Sequence, residues 1–440
     1  MMYEAAINPR IYRRALAALV ALVAPLAVAS SAMASGDITR GKEIYLRECA
    51  VCHGETGGGD GPAAKLCDPK PRNFDKGMFK FRTTENGELP TDADLERTLR
   101  VGVMTTAMPS FSHLGDAAIA DVIAFVKTLG HPEGDTKGWF ELYEAPPPIE
   151  VPPPPAFDAV TAAKGKELYT TMGCNTCHGK LGRGDGKKPE EMLDDWGYPL
   201  NPRDFALGLY KGGGKPEDLY TRVMTGLNGT PMTGYWKDAM TPEERWAVVG
   251  FVLSIGKPRS IEHPSHGSIA MAEGVLPAGI DDAKWQGIAA SPVPRMPMTN
   301  GWSAYFAPVQ ARVAYADGKL AVRVEWDEAE DTCPSARIVF PTKGRAPTFT
   351  IGSPQQPVLE WAWSVKEGAS VLQSDGTEPK PVTGGKIDAA SRVAGGKRVL
   401  VVSGEMTPKP EQMLVVIGGC NAKGAYTTSS TFNDLKLVAQ

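Results

Sequence analysis

Beyond its first 34 residues the chain has no apolar run approaching the roughly 20 residues that span a bilayer, so no later segment is expected to cross one. It has no excess of positive charge either. The formal net charge is −4, which argues against nucleic acid as a partner. Hydrophobic residues at 42% and charged residues at 22% are ordinary for a globular protein and exclude neither an enzyme nor a carrier. What abounds is Gly (48) and Pro (37), the composition of long wrapped loops and linkers. At 440 residues the chain is too long for one core, and about three domains are expected.

The start of the chain reads as a targeting segment. Arg10, Arg13 and Arg14 precede an apolar stretch from Ala15 to Val28, and Ala32-Met33-Ala34 forms an A-x-A site. This predicts a secretory signal, residues 1–34, cut after Ala34, and a mature protein in the periplasm. Three Arg and one Glu fall in it, which leaves 44 basic against 50 acidic residues, a net charge of −6. Seven cysteines in an exported chain would ordinarily suggest disulfides. Four of them have another use.

Cys49-Ala50-Val51-Cys52-His53 and Cys174-Asn175-Thr176-Cys177-His178 are both C-x-x-C-H. In that spacing two thiols add to the vinyl groups of one haem, and the next residue's imidazole faces the iron. Zinc would need two further ligands in each copy, and a thiol redox pair needs no adjacent His. Two covalent c-type haems are therefore expected, on Cys49 and Cys52 with His53, and on Cys174 and Cys177 with His178.

The repeat extends well past these pentapeptides. Gly41-Lys42-Glu43-Ile44-Tyr45 and Gly165-Lys166-Glu167-Leu168-Tyr169 precede the motifs. Gly-rich loops, 57–61 and 182–186, follow them without the strand or Lys-Ser/Thr ending of a phosphate loop. Next come Pro71-Arg72-Asn73-Phe74 and Pro202-Arg203-Asp204-Phe205, whose Arg72 and Arg203 could pair with haem propionates. Met108 and Met232 lie in Pro-flanked loops 55 and 54 residues after their motif histidines and are the expected second iron ligands. Met104 and Met224 are read as packing. Ile119, Val122, Ile123 and Val126, and likewise Trp246, Val249, Gly250 and Leu253, recur at helical spacing and predict a closing helix in each copy.

With these residues in hand, residues 38–130 and 160–256 resemble two class I cytochrome c modules, and the resemblance implies small all-helical units with His/Met iron. Cys67 has no cysteine counterpart in the second copy and is read as a free thiol; the other reading is a thiolate iron ligand, as in thiosulfate-oxidising dihaem cytochromes. Residues 131–159 form a linker containing the proline-rich stretch 145–155, predicted to be an extended, semi-rigid spacer.

After a second linker, 257–270, the pattern changes to strands. Residues 312–316 and 320–326 flank Asp317-Gly318, a hairpin signal, and 399–402 and 413–417 read as further strands. The expected architecture is thus multidomain, two all-α modules and then an all-β antiparallel sandwich or barrel over 271–440.

Asp281-Asp282-Ala283-Lys284-Trp285, Val324-Glu325-Trp326-Asp327 and Pro357-Val358-Leu359-Glu360-Trp361-Ala362-Trp363 resemble the haem b subunit of ethylbenzene dehydrogenase and related exported molybdoenzymes. That resemblance implies a b haem held between Met and Lys and an iron-sulfur partner subunit. Here Ile351 precedes Gly352 where the family has its Met, and Thr427 stands nearest its Lys, with Lys423 four residues earlier. The sequence therefore favours a sandwich without that third haem, which stays the alternative. Met296 and Met298 are read as packing residues. Cys333 and Cys420 could form a disulfide in an oxidising compartment, although sequence does not give their separation. His263 and His266 are read as solvated linker residues, and His113 and His131 are assigned no role.

The resulting expectation is a dihaem electron carrier, acting as subunit or partner of a respiratory oxidoreductase of the molybdoenzyme type. The alternatives are an independent dihaem shuttle and a haem enzyme with an open or thiolate-ligated iron.

Overall fold

A computed structural model describes residues 36–235, 238–259, 263–299, 306–327, 333–376, 378–421 and 424–438. The targeting segment and Lys423 lie outside them.

The first helical module is built from α1 (Ile38–Glu48), α2 (Ala50–His53), α3 (Asp92–Val101) and α4 (Asp116–Val126). Asp37 caps α1, and a reciprocal Thr91–Asp94 capping box starts α3. Helices α1 and α4 cross in near contact, and Gly41 is why they can. A Cβ there would lie 1.9 Å from the Asp121 carbonyl oxygen. Tyr45, Leu95, Ile119, Val122, Ile123 and Val126 form the core beneath the crossing.

A single turn, α5 (Trp139–Leu142), follows, and then the second module repeats the first with α6 (Ala159–Thr171), α7 (Cys174–His178), α8 (Pro216–Thr225) and α9 (Pro242–Ile255). Pro216 and Pro242 occupy first-turn positions, where the missing N–H costs nothing. Gly165 repeats the role of Gly41, its would-be Cβ lying 1.8 Å from the Ala247 carbonyl oxygen. The same Tyr follows in each copy. Tyr45 donates to the Gly54 carbonyl at 2.8 Å and Tyr169 to the Gly179 carbonyl at 2.7 Å, tying each first helix to the turn after the C-x-x-C-H motif.

The proline-rich spacer touches both modules. The Ile149 N–H donates to the Thr83 carbonyl of the first, while Ile149 and Val151 pack on the core of the second.

Among the described residues the third region holds fourteen strands: β1 (Ser268–Glu273), β2 (Ser291–Val293), β3 (Met296–Thr299), β4 (Val309–Ala316), β5 (Lys319–Asp327), β6 (Ser335–Pro341), β7 (Val358–Ser364), β8 (Gly368–Ser374), β9 (Lys380–Pro381), β10 (Ile387–Ala394), β11 (Lys397–Glu405), β12 (Gln412–Asn421), β13 (Gly424–Ser429) and β14 (Asn433–Leu437). They pair in the order β10-β11-β5-β4-β1-β14-β12-β6-β7-β8-β9, with β13 beside β12, β3 beside β13 and β2 beside β4. Val313, Val322 and Leu400 on one half of this path share a core with Ile338, Trp361 and Val415 on the other, which makes a sandwich. Asp317 and Gly318 have φ of 51° and 74°, as a type I′ turn between β4 and β5 requires. Pairing is antiparallel except at β1, which runs parallel to both β4 and β14. No alternation in the sequence signals this, because β1 is delivered by the linker that leaves the second module. Cys333 and Cys420 form a disulfide with a Cα separation of 5.3 Å.

The linker histidines correct the expectation of solvated side chains. His263 is half-buried against the first module, its Nε2 2.5 Å from the Met108 carbonyl, and His266 pairs with Asp434 at 3.1 Å. This linker is a seam between the sheet domain and the first module, and Ser265 bridges to Ser110 there.

Candidate haem clefts

An apolar cleft opens in the first module. It encloses about 1360 Å³ including its open mouth. Cys49, Cys52, His53 and Met108 all line it, together with Phe74, Phe79, Leu95 and Ile123. Two separate stretches of chain, 49–53 and the loop at 108, thus bring the predicted thiols, imidazole and thioether to one space.

The imidazole is held by two local contacts. His53 Nδ1 lies 2.9 Å from the Arg72 carbonyl, which can only accept, so Nδ1 carries the proton and Nε2 keeps its lone pair for the cleft. Phe74 stacks on the ring at 5.0 Å. The second module repeats both, with His178 Nδ1 3.3 Å from the Arg203 carbonyl and Phe205 stacked at 4.6 Å. The Pro-Arg-x-Phe motif therefore works through its backbone and its Phe as well as its guanidinium. Burial keeps both imidazoles below the usual histidine pKa, hence neutral and able to ligate.

The methionine turns match as well. Val103 N–H donates to the Met108 carbonyl and Leu227 N–H to the Met232 carbonyl, while the Met108 and Met232 amides donate to the hydroxyls of Thr106 and Thr230. Cys49, Cys52, Cys174 and Cys177 are all free thiols. Burial pushes Cys49 up to about 12, and a hydrogen bond to Cys67 together with burial holds Cys52 up. Cys67 lies in the wall of the same cleft, its thiol 3.4 Å from the Ala63 carbonyl. Met192 takes the matching place in the second module; each follows a single 3-10 turn, 64–66 or 189–191.

Cations collect where the modules meet, and although Asp68, Asp194, Asp195 and Asp204 lie near enough to act on them, none forms an ion pair with them among the described residues. Arg72 lies 4.4 Å over the Trp196 ring of the second module, and Arg203 donates to Thr105 Oγ1 of the first at 2.6 Å. Arg72 Nη2, Arg203 Nε and Arg203 Nη2 are buried with no hydrogen-bond partner among the described residues. Lys80 and Lys211 join them, and Lys211 reaches from the second module into the wall of the first module's cleft. Burial, with each lysine also near an arginine, lowers Lys80 to about 7 and Lys211 to about 8. Unpaired buried guanidinium donors are costly. Haem propionates would supply the missing acceptors, so these residues fit the group that the C-x-x-C-H motifs imply.

Sequence reasoning singled out Arg72 and Arg203 but missed the lysines. Each follows its arginine by eight residues, so extending the repeat alignment would have found them. It also missed Trp196, which sits in a loop six residues longer than its counterpart, and Phe349, which enters the wall of the first cleft from the sheet domain.

In the sheet domain Ile351 is partly buried against the interface with the first module, and Met296 and Met298 are fully packed there. Among the described residues no helix is long and apolar enough to cross a membrane.

Comparison with known families finds that residues 38–130 and 162–256 each match the model described as cytochrome c. Among solved structures, the chain is similar to a chain of the reducing HAO-like protein complex of Kuenenia stuttgartiensis, at 39% identity, over 51% of this chain and 99% of that one, with a TM-score of 0.48. No curated protein matches.

Proposed function

Since the chain carries two cytochrome c domains, residues 38–130 and 162–256, we propose that it is a periplasmic dihaem cytochrome that relays single electrons as subunit or partner of an exported oxidoreductase. The observation that carries this reading is the convergence of Cys49, Cys52, His53 and Met108 on one apolar cleft, with the same residue types at the matching positions of the second module. Cys49, Cys52, His53 and Met108 would hold one haem, and Cys174, Cys177, His178 and Met232 the other. Bound there, haem supplies reversible one-electron chemistry at iron.

The chain's own residues set the conditions for that chemistry. The Arg72 and Arg203 carbonyls fix each imidazole tautomer and ring angle. Apolar walls exclude water, and both burial and thioether ligation favour a raised potential. Arg72, Lys80, Arg203 and Lys211 favour whichever state carries one more negative charge, so they act in the same direction. A haem held by His and Met in each module would leave no place for a substrate at the metal. The sheet domain, with Ile351 and Thr427 where the related haem b subunits ligate iron, serves as a scaffold.

The test is the weak near-infrared sulfur-to-iron band of the oxidised protein. Met232→His should remove about half of it and Met108→His the other half. A protein whose band is unchanged by either substitution, or absent from the start, would contradict the ligand assignment.

A further inference from the structure

The two modules are near copies, yet only one of them is covered at the rim of its cleft. In the first module Ala63, Cys67 and Ala107, with Val51 and Cys52 beside them, pack against Met296, Met298, Phe349 and Phe432 of the sheet domain. Backbone contacts clamp this seam: the Asp68 N–H donates to the Met298 carbonyl, and the Thr348 N–H donates to the buried Glu48 carboxylate at 2.7 Å. The repeat register carries Val51, Ala63 and Ala107 onto Thr176, Lys188 and Pro231. In the second module all three are exposed.

That contrast is written in the residue types. A Lys at the place of Ala63 could not be buried against Met296 and Phe349 without losing its hydration. Lys188 instead stands in solvent, beside exposed Lys187, Lys180 and Arg183 and an exposed Leu181 at 65%. The carboxylates in the same loop are Asp185, Glu190 and Glu191. Asp185 is exposed too, although its Oδ1 lies 1.8 Å from where a Gly179 Cβ would be. Four exposed cations thus stand with three exposed carboxylates around an apolar spot, a local excess of positive charge on a chain whose overall charge is negative.

We infer that the sheet domain seals the first haem's rim and that the second module, at Thr176, Lys188 and Pro231, is the port where an acidic-faced redox protein docks and exchanges electrons. This rests on the dihaem reading above and adds a direction to it. Electrons pass between the partner and the second module, and the first module communicates through the cationic seam between the modules. The occupant is a protein because the surface is a shallow mixed rim of cations and an apolar spot, the anatomy of a transient docking site.

The experiment uses full-length, haem-loaded protein and ferricyanide as an anionic outer-sphere probe. Lys187→Glu with Lys188→Glu should slow second-order oxidation by roughly three- to tenfold at low ionic strength and by little at high salt. Lys42→Glu, an exposed change on the first helix of the sealed module, should have no such effect. Hydrogen exchange gives a readout independent of electron transfer: amides at 63–67 and 106–108 should be protected well beyond those at 188–192 and 230–232. Equal slowing by Lys42→Glu, no slowing by the double variant at full haem content, or equal exchange in the two sets would overturn the inference. Loss of covalent haem altogether would instead overturn the reading beneath it.

Discussion

At the residue scale, the unusual feature is positive charge buried with no close ion pair among the described residues. Lys80 is lowered to about 7 and Lys211 to about 8, chiefly by burial, from the 10.5 of an unfolded lysine. Folded pKa values below the unfolded one mean that the folded, haem-free chain binds fewer protons across that interval. Its stability should therefore rise as pH increases from about 7 to about 10. Cys49, Cys52 and Cys174, pushed in the opposite direction, would mask this, so the comparison belongs in a chain with those three changed to Ala. Adding Lys80→Gln and Lys211→Gln should flatten the rise in urea midpoint with pH. An unchanged slope would show that these lysines are not penalised by burial. The two C-x-x-C-H motifs were the most legible part of the sequence, because the pattern is local and its chemistry demands that spacing. The cationic seam was legible only in part: Lys80 and Lys211 repeat eight residues after Arg72 and Arg203, but that the two sets meet across the modules needs the fold.

At the scale of the element, the Gly-Lys-Glu-x-Tyr signature is a device for crossing helices. Gly41 lets α1 touch α4 and Gly165 lets α6 touch α9, each at a backbone carbonyl less than 2 Å from any added Cβ. Gly41→Ala or Gly165→Ala must force the pair apart. A loss of roughly 1–3 kcal/mol in urea unfolding is expected for either, as for overpacked cores generally. A neutral result would mean that the helices slide without cost. The helices themselves follow from apolar periodicity and caps that sequence displays. Strand β1 does not: its parallel pairing with β4 and β14 depends on where the linker sets it down. The same linker places His263 against Met108, a contact that no local pattern encodes.

For the whole molecule, three domains meet at two kinds of seam. The seam between the modules is charged, and the one between the first module and the sheet domain is apolar, with Ala63 fully buried in it. Ala63→Lys should place an unpaired ammonium there and cost about 3 kcal/mol or more of stability, read as a lowered unfolding midpoint and faster exchange at 63–67. Lys188→Ala, the reverse exchange at the matched exposed position, should stay within about 0.5 kcal/mol of the unaltered protein. Equal effects from the two would remove the asymmetry between the modules. Domain order was readable from the change of period and from the prolines; which domain covers which cleft needed three-dimensional contacts between Val51, Ala63, Ala107 and a Phe349 some 240 residues further on.

The central claim is that each module anchors one haem through paired thioethers. Mass spectrometry of the intact chain, expressed with a working haem-attachment system and combined with a pyridine haemochrome assay, tests it directly. The account predicts two c-type haems per chain and colour that acid-acetone does not extract. An unmodified polypeptide mass, or a pigment that leaves with the solvent, would contradict it.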